Sequence, residues 1–200
     1  MSTTDGRRAK GAVSRSTVMR IAVDIASVEG LEALTIGSLA AGANLSKSGV
    51  VALFGTKLQL QLAAIEAARS IFIDSVIAPA LQVSGGRARL DALVDGWIRY
   101  SESRVFSGGC FFAAAMAEVG SQPGPLRDAV ATQMEAWDET LRRVTLRAVE
   151  KGELAPPDDV DQLTFELRAM LDGANADSLL FGSSAPYERA RIGIARLLSR

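Results

Sequence analysis

The chain has 200 residues and a formal net charge of −1, with 48% hydrophobic and 22% charged residues. It has no histidine and one cysteine, so we expect no zinc site, no Ser-His or Cys-His catalytic centre, no cofactor and no enzymatic activity. Carboxylate chemistry stays open in principle, but Asp and Glu do not cluster at metal-ligand spacing. No run of 18 apolar residues occurs, so we expect no membrane span.

The N-terminal part of the chain is basic, whereas the remainder is acidic. Residues 1–60 hold seven basic and four acidic groups, and the other 140 residues hold 15 and 19. This balance is expected when one end faces phosphates, although a solvated basic tail has the same composition. The N-terminus lacks the apolar core of a secretory signal, and a lone Cys110 suits a reducing compartment, so we expect a cytoplasmic protein.

Helical signals begin after a short basic segment. Residues 1–13 lack apolar periodicity, so we expect a flexible basic arm followed by a first helix that starts at Ser14 or Ser16. Apolar residues at helical spacing continue to Gly30. The fourth helix should end where Pro79 interrupts it. Polar residues suited to N-caps precede the second, third and fourth helices, namely Thr35, Ser46 and Thr56.

The pattern remains helical beyond Gly85 and Gly86. A long amphipathic helix is predicted from Leu126 to Ala148, and another begins at Asp158 or Asp159. No strand-like alternation and no internal repeat occur. The predicted fold is therefore all-α with about nine helices, divided into a three-helix helix-turn-helix domain at 14–60 and a larger helical domain at 61–200.

The first three helices have the lengths and punctuation of a helix-turn-helix, in which a short second helix supports the third against the major groove. The turn at 42–45 needs a residue that tolerates left-handed backbone, and Asn44 meets that need. An ordinary helical hairpin has the same periodicity. Spacing alone therefore leaves both interpretations open.

The stretch GLEALTIGSLAAGANLSKSGVVALFGTKLQL resembles the N-terminal DNA-binding domain of the TetR (tetracycline repressor) family. The resemblance covers about residues 14–62, and the helical remainder is similar to the family's ligand-binding and dimerisation domain. It implies a homodimeric transcriptional regulator, usually a repressor, that leaves a pseudo-palindromic DNA operator when a small effector binds. The matching positions are Gly30, Leu34, Thr35, Leu39, Ala40, Ala43, Ser46, Lys47, Phe54 and Lys57.

The resemblance also implies which residues contact DNA. Thr35 and Lys57, at helix starts, would meet phosphates, and Arg15 would contact the backbone or the minor groove. The leading end of the recognition helix would consist of Ser46, Lys47, Ser48, Gly49 and Val50.

Some positions depart from the family pattern. Gly37 replaces a frequent Arg, and Asn44 replaces a frequent Gly. Val51 and Ala52 lie where Tyr and a polar residue are usual, so Val51 either packs inside the protein or touches a thymine methyl. These departures keep an alternative open, namely a helical small-molecule-binding protein whose DNA-binding function is weakened or lost.

Large apolar side chains concentrate in the central helices, which is typical of a helical body that encloses an apolar pocket. The same residues also fit an ordinary core, and Cys110 fits an inert buried thiol better than a redox sensor. We expect a small, largely apolar effector. The candidate pocket residues are Trp97, Tyr100, Cys110, Phe111, Met116, Met134, Trp137 and Phe165.

The last two helices carry apolar stripes that the resemblance implies to be the dimer interface. Small residues Gly173, Ala174 and Ala176 would let a partner helix come close. Packing within one chain could use the same stripes, so this alternative also stays open. The stripes consist of Leu163, Leu167, Leu171 and Ala174 in one helix and Tyr187, Ala190, Ile194 and Leu197 in the other.

Overall fold

The computed structural model describes residues 3–199, and their side chains from residue 15 onward. Within this part of the chain there are nine helices and no strand, which confirms the all-α prediction. The helices are α1 (Thr3–Glu29), α2 (Ile36–Gly42), α3 (Lys47–Phe54), α4 (Lys57–Phe72, continued by Ile73–Ile77 and Ala78–Leu81), α5 (Arg87–Glu102), α6 (Phe111–Val119), α7 (Pro125–Glu150), α8 (Val160–Phe181) and α9 (Ala185–Leu197).

The predicted N-caps of α2, α3 and α4 are confirmed. Thr35 accepts a hydrogen bond from the Ser38 N–H at 3.0 Å, and Ser38 Oγ accepts one from the Thr35 N–H at 2.9 Å, which completes a capping box. Ser46 caps α3, and Thr56 caps α4 with a second capping box. These short-range bonds fix where each helix of the N-terminal domain begins.

α1 begins earlier than the sequence pattern indicated. Its backbone is helical from Thr3, so the expected start at Ser14 or Ser16 is wrong. The Ala, Arg and Lys residues of this segment are good helix formers, so their intrinsic helix propensity favours a helix without an apolar stripe in the sequence. The flexible arm at 1–13 stays a prediction, and its residues 1 and 2 lie outside the described part of the chain.

Pro79 does not end α4, as the sequence pattern had suggested. The helix passes through it to Leu81, and the segment Ile73–Ile77 just before it is π-helical. The N–H of Ala78 donates to the carbonyl of Ile73, five residues back. Proline lacks an N–H, and its ring crowds the carbonyl group four residues earlier. The wider π turn accommodates both the missing hydrogen bond and the bulk of the ring.

The described helices share one hydrophobic core. In the N-terminal domain the fully buried side chains include Leu34, Leu39 and Val50. The segment Lys57–Phe72 of α4 packs against α1, α3 and α7, and its continuation at 73–81 packs against α5. α8 and α9 form a hairpin that turns at Gly182, whose left-handed φ of +62° ends α8.

No helix in the described residues combines the length and apolar composition needed to cross a bilayer.

Candidate nucleic-acid interface and ligand cavity

The turn between α2 and α3 has the conformation expected of a helix-turn-helix. Asn44 has a φ of +52°, and the N–H of Leu45 donates to the carbonyl of Ala40 at 2.9 Å. A Cβ placed on Gly42 would lie 3.2 Å from Cδ1 of Ile25, so a larger residue there would push α2 away from α1. This close packing fixes the orientation in which α2 presents α3.

The outer face of α3 consists of Lys47, Ser48, Val51 and Ala52, all of which are exposed. Val51 is 49% exposed, so it does not pack in the core. Val50 points the other way and is 0% exposed, so its predicted contact with DNA is wrong. Consecutive helical residues are about 100° apart around the axis, which is enough to place one valine inside and its neighbour outside.

The hydroxyls at the start of α3 are already hydrogen-bonded. Ser46 Oγ accepts the N–H of Gly49 at 3.1 Å and lies 3.1 Å from Ser48 Oγ. A Cβ built on Gly37, in the first turn of α2, would lie 3.8 Å from Cε of Lys47 and 3.6 Å from Oγ1 of Thr35. The side chain of Lys47 therefore extends towards the start of α2. The structure therefore brings the predicted DNA contacts Thr35 and Lys47 to one edge of the domain.

The two other predicted cationic contacts have partners in this chain. Lys57 forms an ion pair with Glu32, and this pairing holds the pKa of the Glu32 carboxyl below its usual range. The guanidinium of Arg15 lies 5.2 Å from the ring centre of Phe54. Both cationic side chains are therefore engaged within this chain.

A cavity of about 240 Å³ lies among α4, α5, α6, α7 and α8. Its wall is mostly apolar and includes both tryptophans of the chain. It is lined by Arg69, Phe72, Ile73, Ile77, Trp97, Cys110, Phe112, Ala113, Gln133, Met134, Ala136, Trp137, Thr140 and Asp172.

The eight predicted pocket residues are not all brought together. Trp97, Cys110, Met134 and Trp137 line the cavity. Tyr100 and Phe111 are buried beside it, and Tyr100 packs edge-on against Phe72 with ring centres 5.4 Å apart. Met116 lines a neighbouring shallow cleft that shares Met134. Phe165 is 56% exposed on the outer side of α8, away from the cavity.

Four polar residues of the cavity wall were not predicted from the sequence, namely Arg69, Gln133, Thr140 and Asp172. Burial raises the pKa of Asp172 to about 6. The positive charge of Arg168 acts to lower this pKa, and the negative charge of Asp138 acts to raise it. In the sequence, Asp172 is marked only by its i,i+4 spacing from Arg168. Such a pair is typical of an exposed helix surface, so it does not predict a place in a cavity wall. Burial also raises the pKa of the Cys110 thiol to about 12, which fits an inert side chain.

Hydrogen bonds tie the wall of the cavity to the N-terminal domain. The loop before α6 is held by α1, because Asp24 accepts the N–H of Ser107 at 2.8 Å and Ser27 Oγ accepts that of Gly108 at 3.1 Å. At the other end of α6, Glu118 accepts hydrogen bonds from the N–H groups of Leu31 at 2.7 Å and Glu32 at 2.8 Å. α6 therefore contacts both the cavity and the loop between α1 and α2.

No metal site is evident in the side chains that the structure describes, since no three Asp, Glu or Cys residues gather as ligands.

The chain is similar in sequence and in structure to known regulators. A family model described as tetracyclin repressor-like, C-terminal domain, matches residues 86–194. A TetR transcriptional regulator from Chloroflexus aurantiacus J-10-FL is 25% identical, with a TM-score of 0.88 over 96% of this chain and 97% of that chain. No curated protein matches the chain significantly.

Two more distant structures share the fold. A TetR-family transcriptional regulator from Streptomyces coelicolor is 21% identical, with a TM-score of 0.77 over 100% of this chain and 95% of that chain. AibR, whose structure contains isovaleryl coenzyme A and operator DNA, is 17% identical, with a TM-score of 0.68 over 82% of this chain and 86% of that chain. The family match covers more than half of the chain, so the protein belongs to the tetracycline-repressor-like family and is a TetR-family transcriptional regulator.

Proposed function

We propose that the protein is a cytoplasmic homodimeric repressor that binds a pseudo-palindromic DNA operator through α3 and releases it when a small effector fills the cavity. The observation that carries this proposal is the position of α6. Its first turn contributes Phe112 and Ala113 to the cavity wall, and its last turn carries Glu118, which holds the loop that leads into α2. A shift of α6 would therefore move the helix-turn-helix.

The proposed DNA surface combines the exposed face of α3 with the starts of α2 and α4. Lys47 and Ser48 would reach base edges, while Val51 offers an apolar contact to a thymine methyl. Thr35, Arg15 and Lys57 would contact the phosphate backbone, and Lys57 would leave Glu32 to do so. Since Ser46 caps α3 and Gly49 is its partner, these two would position the helix and contribute backbone contacts.

The proposed dimer uses a different face of α8 from the one that the sequence pattern suggested. Leu163, Leu167 and Leu171 are buried inside the chain, as Tyr187 and Ala190 of α9 are. An exposed stripe remains along the opposite side of α8, where small residues lie between two large apolar ones. It consists of Phe165, Ala169, Gly173, Ala176 and Leu180.

AibR supports the pairing of DNA and effector by analogy. That protein shares the fold and was solved with both an acyl thioester and operator DNA. We propose the same general arrangement here, with the effector in the cavity described above and the operator against α3.

A genome-wide DNA pull-down with the full-length protein tests the proposal and identifies the operator. We expect enrichment of a pseudo-palindrome whose affinity falls steeply as salt rises, because phosphate contacts release counterions. The Lys47→Ala, Lys57→Ala double variant should weaken operator binding by at least about tenfold.

Lys151→Ala is the matched control, since Lys151 is exposed at the end of α7 and lies far along the chain from α3. Unchanged operator affinity in the double variant would refute the contact assignment. Failure of any duplex to be enriched, from genomic or random DNA, would instead favour a small-molecule-binding protein without DNA-binding function.

A further inference from the structure

Asp172 is an unusual member of the cavity wall because it contributes a carboxylate to a mostly apolar lining. Its side chain is only 21% exposed, and its surroundings in the cavity include the rings of Phe72, Trp97 and Trp137. The described residues provide it with no close hydrogen-bond donor, and its nearest cation, Nη1 of Arg168, is 3.7 Å from Oδ2. A buried carboxylate without such a partner is costly, and it would favour a ligand that supplies one.

The charges around Asp172 do not balance. Arg168 lies closer to Asp138, with Nε 2.9 Å from Oδ1, so two carboxylates share one guanidinium. Burial raises the pKa of both Asp138 and Asp172, and at Asp172 the negative charge of Asp138 adds to this effect. Cys110, on the α6 side, stays neutral because burial raises its pKa to about 12. One uncompensated negative charge therefore faces the cavity.

The remaining cation of the wall does not offset this charge. Arg69, on α4, is paired with Glu66 at 2.9 Å, and its side chain is 42% exposed to solvent. The pair is neutral and solvated, so it leaves the negative charge at Asp172 uncompensated. The cavity thus combines an anionic group with rings whose faces also attract cations.

We propose that the effector is an organic cation, an aryl or alkyl amine whose ammonium group binds Asp172 while Phe72, Trp97, Phe112 and Trp137 enclose its apolar part. This inference rests on the proposed role of the cavity as the effector site. The ammonium would donate to the carboxylate and supply the missing positive charge. A ligand carboxylate or phosphate would meet repulsion at the same place, and a neutral hydrocarbon would leave Asp172 unpaired.

Isothermal titration calorimetry of the full-length protein tests the charge preference with three ligands of matched shape. They are 4-phenylbutylamine, 4-phenylbutanol and 4-phenylbutanoate, which carry a cation, a neutral group and an anion. At neutral pH we expect the amine to bind at least about tenfold more tightly than the alcohol, and the carboxylate to bind most weakly. Amine binding should weaken below about pH 6, where Asp172 takes up a proton.

Asp172→Asn keeps the size of the side chain and removes its charge. We expect this variant to lose the preference for the amine while it binds the alcohol as the wild type does. Asp177→Asn, an exposed position on the same helix, is the control and should keep the preference. Circular dichroism and thermal unfolding establish that both variants fold.

Three results would overturn the inference: equal or tighter binding of the alcohol or the carboxylate, a preference that survives in Asp172→Asn, and saturable binding of none of the three ligands. Operator binding measured on the same samples separates this inference from the proposed function. Normal operator binding without amine preference refutes only the ligand class, whereas amine binding at Asp172 without any operator refutes only the regulatory role.

Discussion

A carboxyl group in a largely apolar cavity wall holds its proton more tightly than one in water. Asp172 illustrates this, because burial raises its pKa from 3.8 to about 6 despite the nearby Arg168. The negative charge of Asp138 on α7 raises this pKa further. Arg69 on α4 also lines the cavity, but it is paired with Glu66. Keeping this group ionised at neutral pH therefore costs the folded protein free energy.

The cost predicts a specific pH dependence of stability. The folded-state pKa lies above the unfolded one, so the folded protein binds more protons between about pH 4 and about pH 6. Protonated Asp172 carries no such cost, so its contribution to the free energy of unfolding is most favourable below the unfolded pKa. This contribution is lost as pH rises through the folded pKa, where the buried carboxyl ionises. Asp172→Asn should therefore be more stable than the wild type near pH 7 by about 2 kcal/mol, with the difference shrinking towards pH 4.

Urea unfolding of both proteins across this range measures the difference. Asp177→Asn serves as the exposed control and should follow the wild type at each pH. Parallel curves for Asp172→Asn and the wild type would contradict the prediction.

At the scale of single elements, some features follow from local sequence and others do not. Thr35, Ser46, Thr56 and Asn44 could be predicted because a cap or a turn involves only residues close in the chain. The burial of Val50 could not, because it depends on how α3 is rotated against helices far from it in sequence. The same holds for Asp172, whose role as cavity wall arises from the packing of five helices.

Contacts between elements also decide which loops tolerate change. The loop between α5 and α6 lies so close to α1 that a Cβ on Gly108 would overlap the carbonyl oxygen of Ser27, a backbone atom that cannot rotate away. A Cβ on Gly37, in α2, would make only ordinary van der Waals contacts, 3.6 Å from Oγ1 of Thr35 and 3.8 Å from Cε of Lys47. Alanine should therefore have opposite effects at these two positions.

Gly108→Ala should lower the free energy of unfolding by at least about 2 kcal/mol, because α1 and the loop must separate. Gly37→Ala, the matched control, should leave it unchanged or raise it by up to about 1 kcal/mol, since alanine favours helix. Thermal and urea unfolding report both values. Equal free energies of unfolding for the two variants would contradict the prediction, because the loop between α5 and α6 would then accept the Cβ without loss of stability.

At the scale of the whole molecule, the outer face of α8 stands out because its large apolar side chains remain exposed in the described chain. Phe165 was expected in the ligand pocket from its size, yet it lies with Leu180 on this exposed stripe. The sequence pattern could not separate the two faces, because both repeat apolar residues at helical spacing. Small residues between two large ones favour close approach of a second helix.

Ala176→Glu introduces a charge at the centre of this stripe and should convert the proposed dimer to a folded monomer. Size-exclusion chromatography with light scattering measures the mass, and operator affinity should fall because one half-site alone is bound weakly. Ala41→Glu, exposed on α2, is the control and should keep the dimer mass. A dimeric Ala176→Glu protein would place the interface elsewhere.

The two tryptophans of the chain both lie in the cavity wall. The intrinsic tryptophan emission of the protein therefore comes entirely from the place where an effector would sit, and no dye or tag is needed to observe it. Indole emission shifts with the polarity of its surroundings, so an occupant that replaces water should move the spectrum. Fractionated cell extracts can thus be screened optically, and single Trp97→Phe and Trp137→Phe variants would show which of the two indoles each active fraction perturbs.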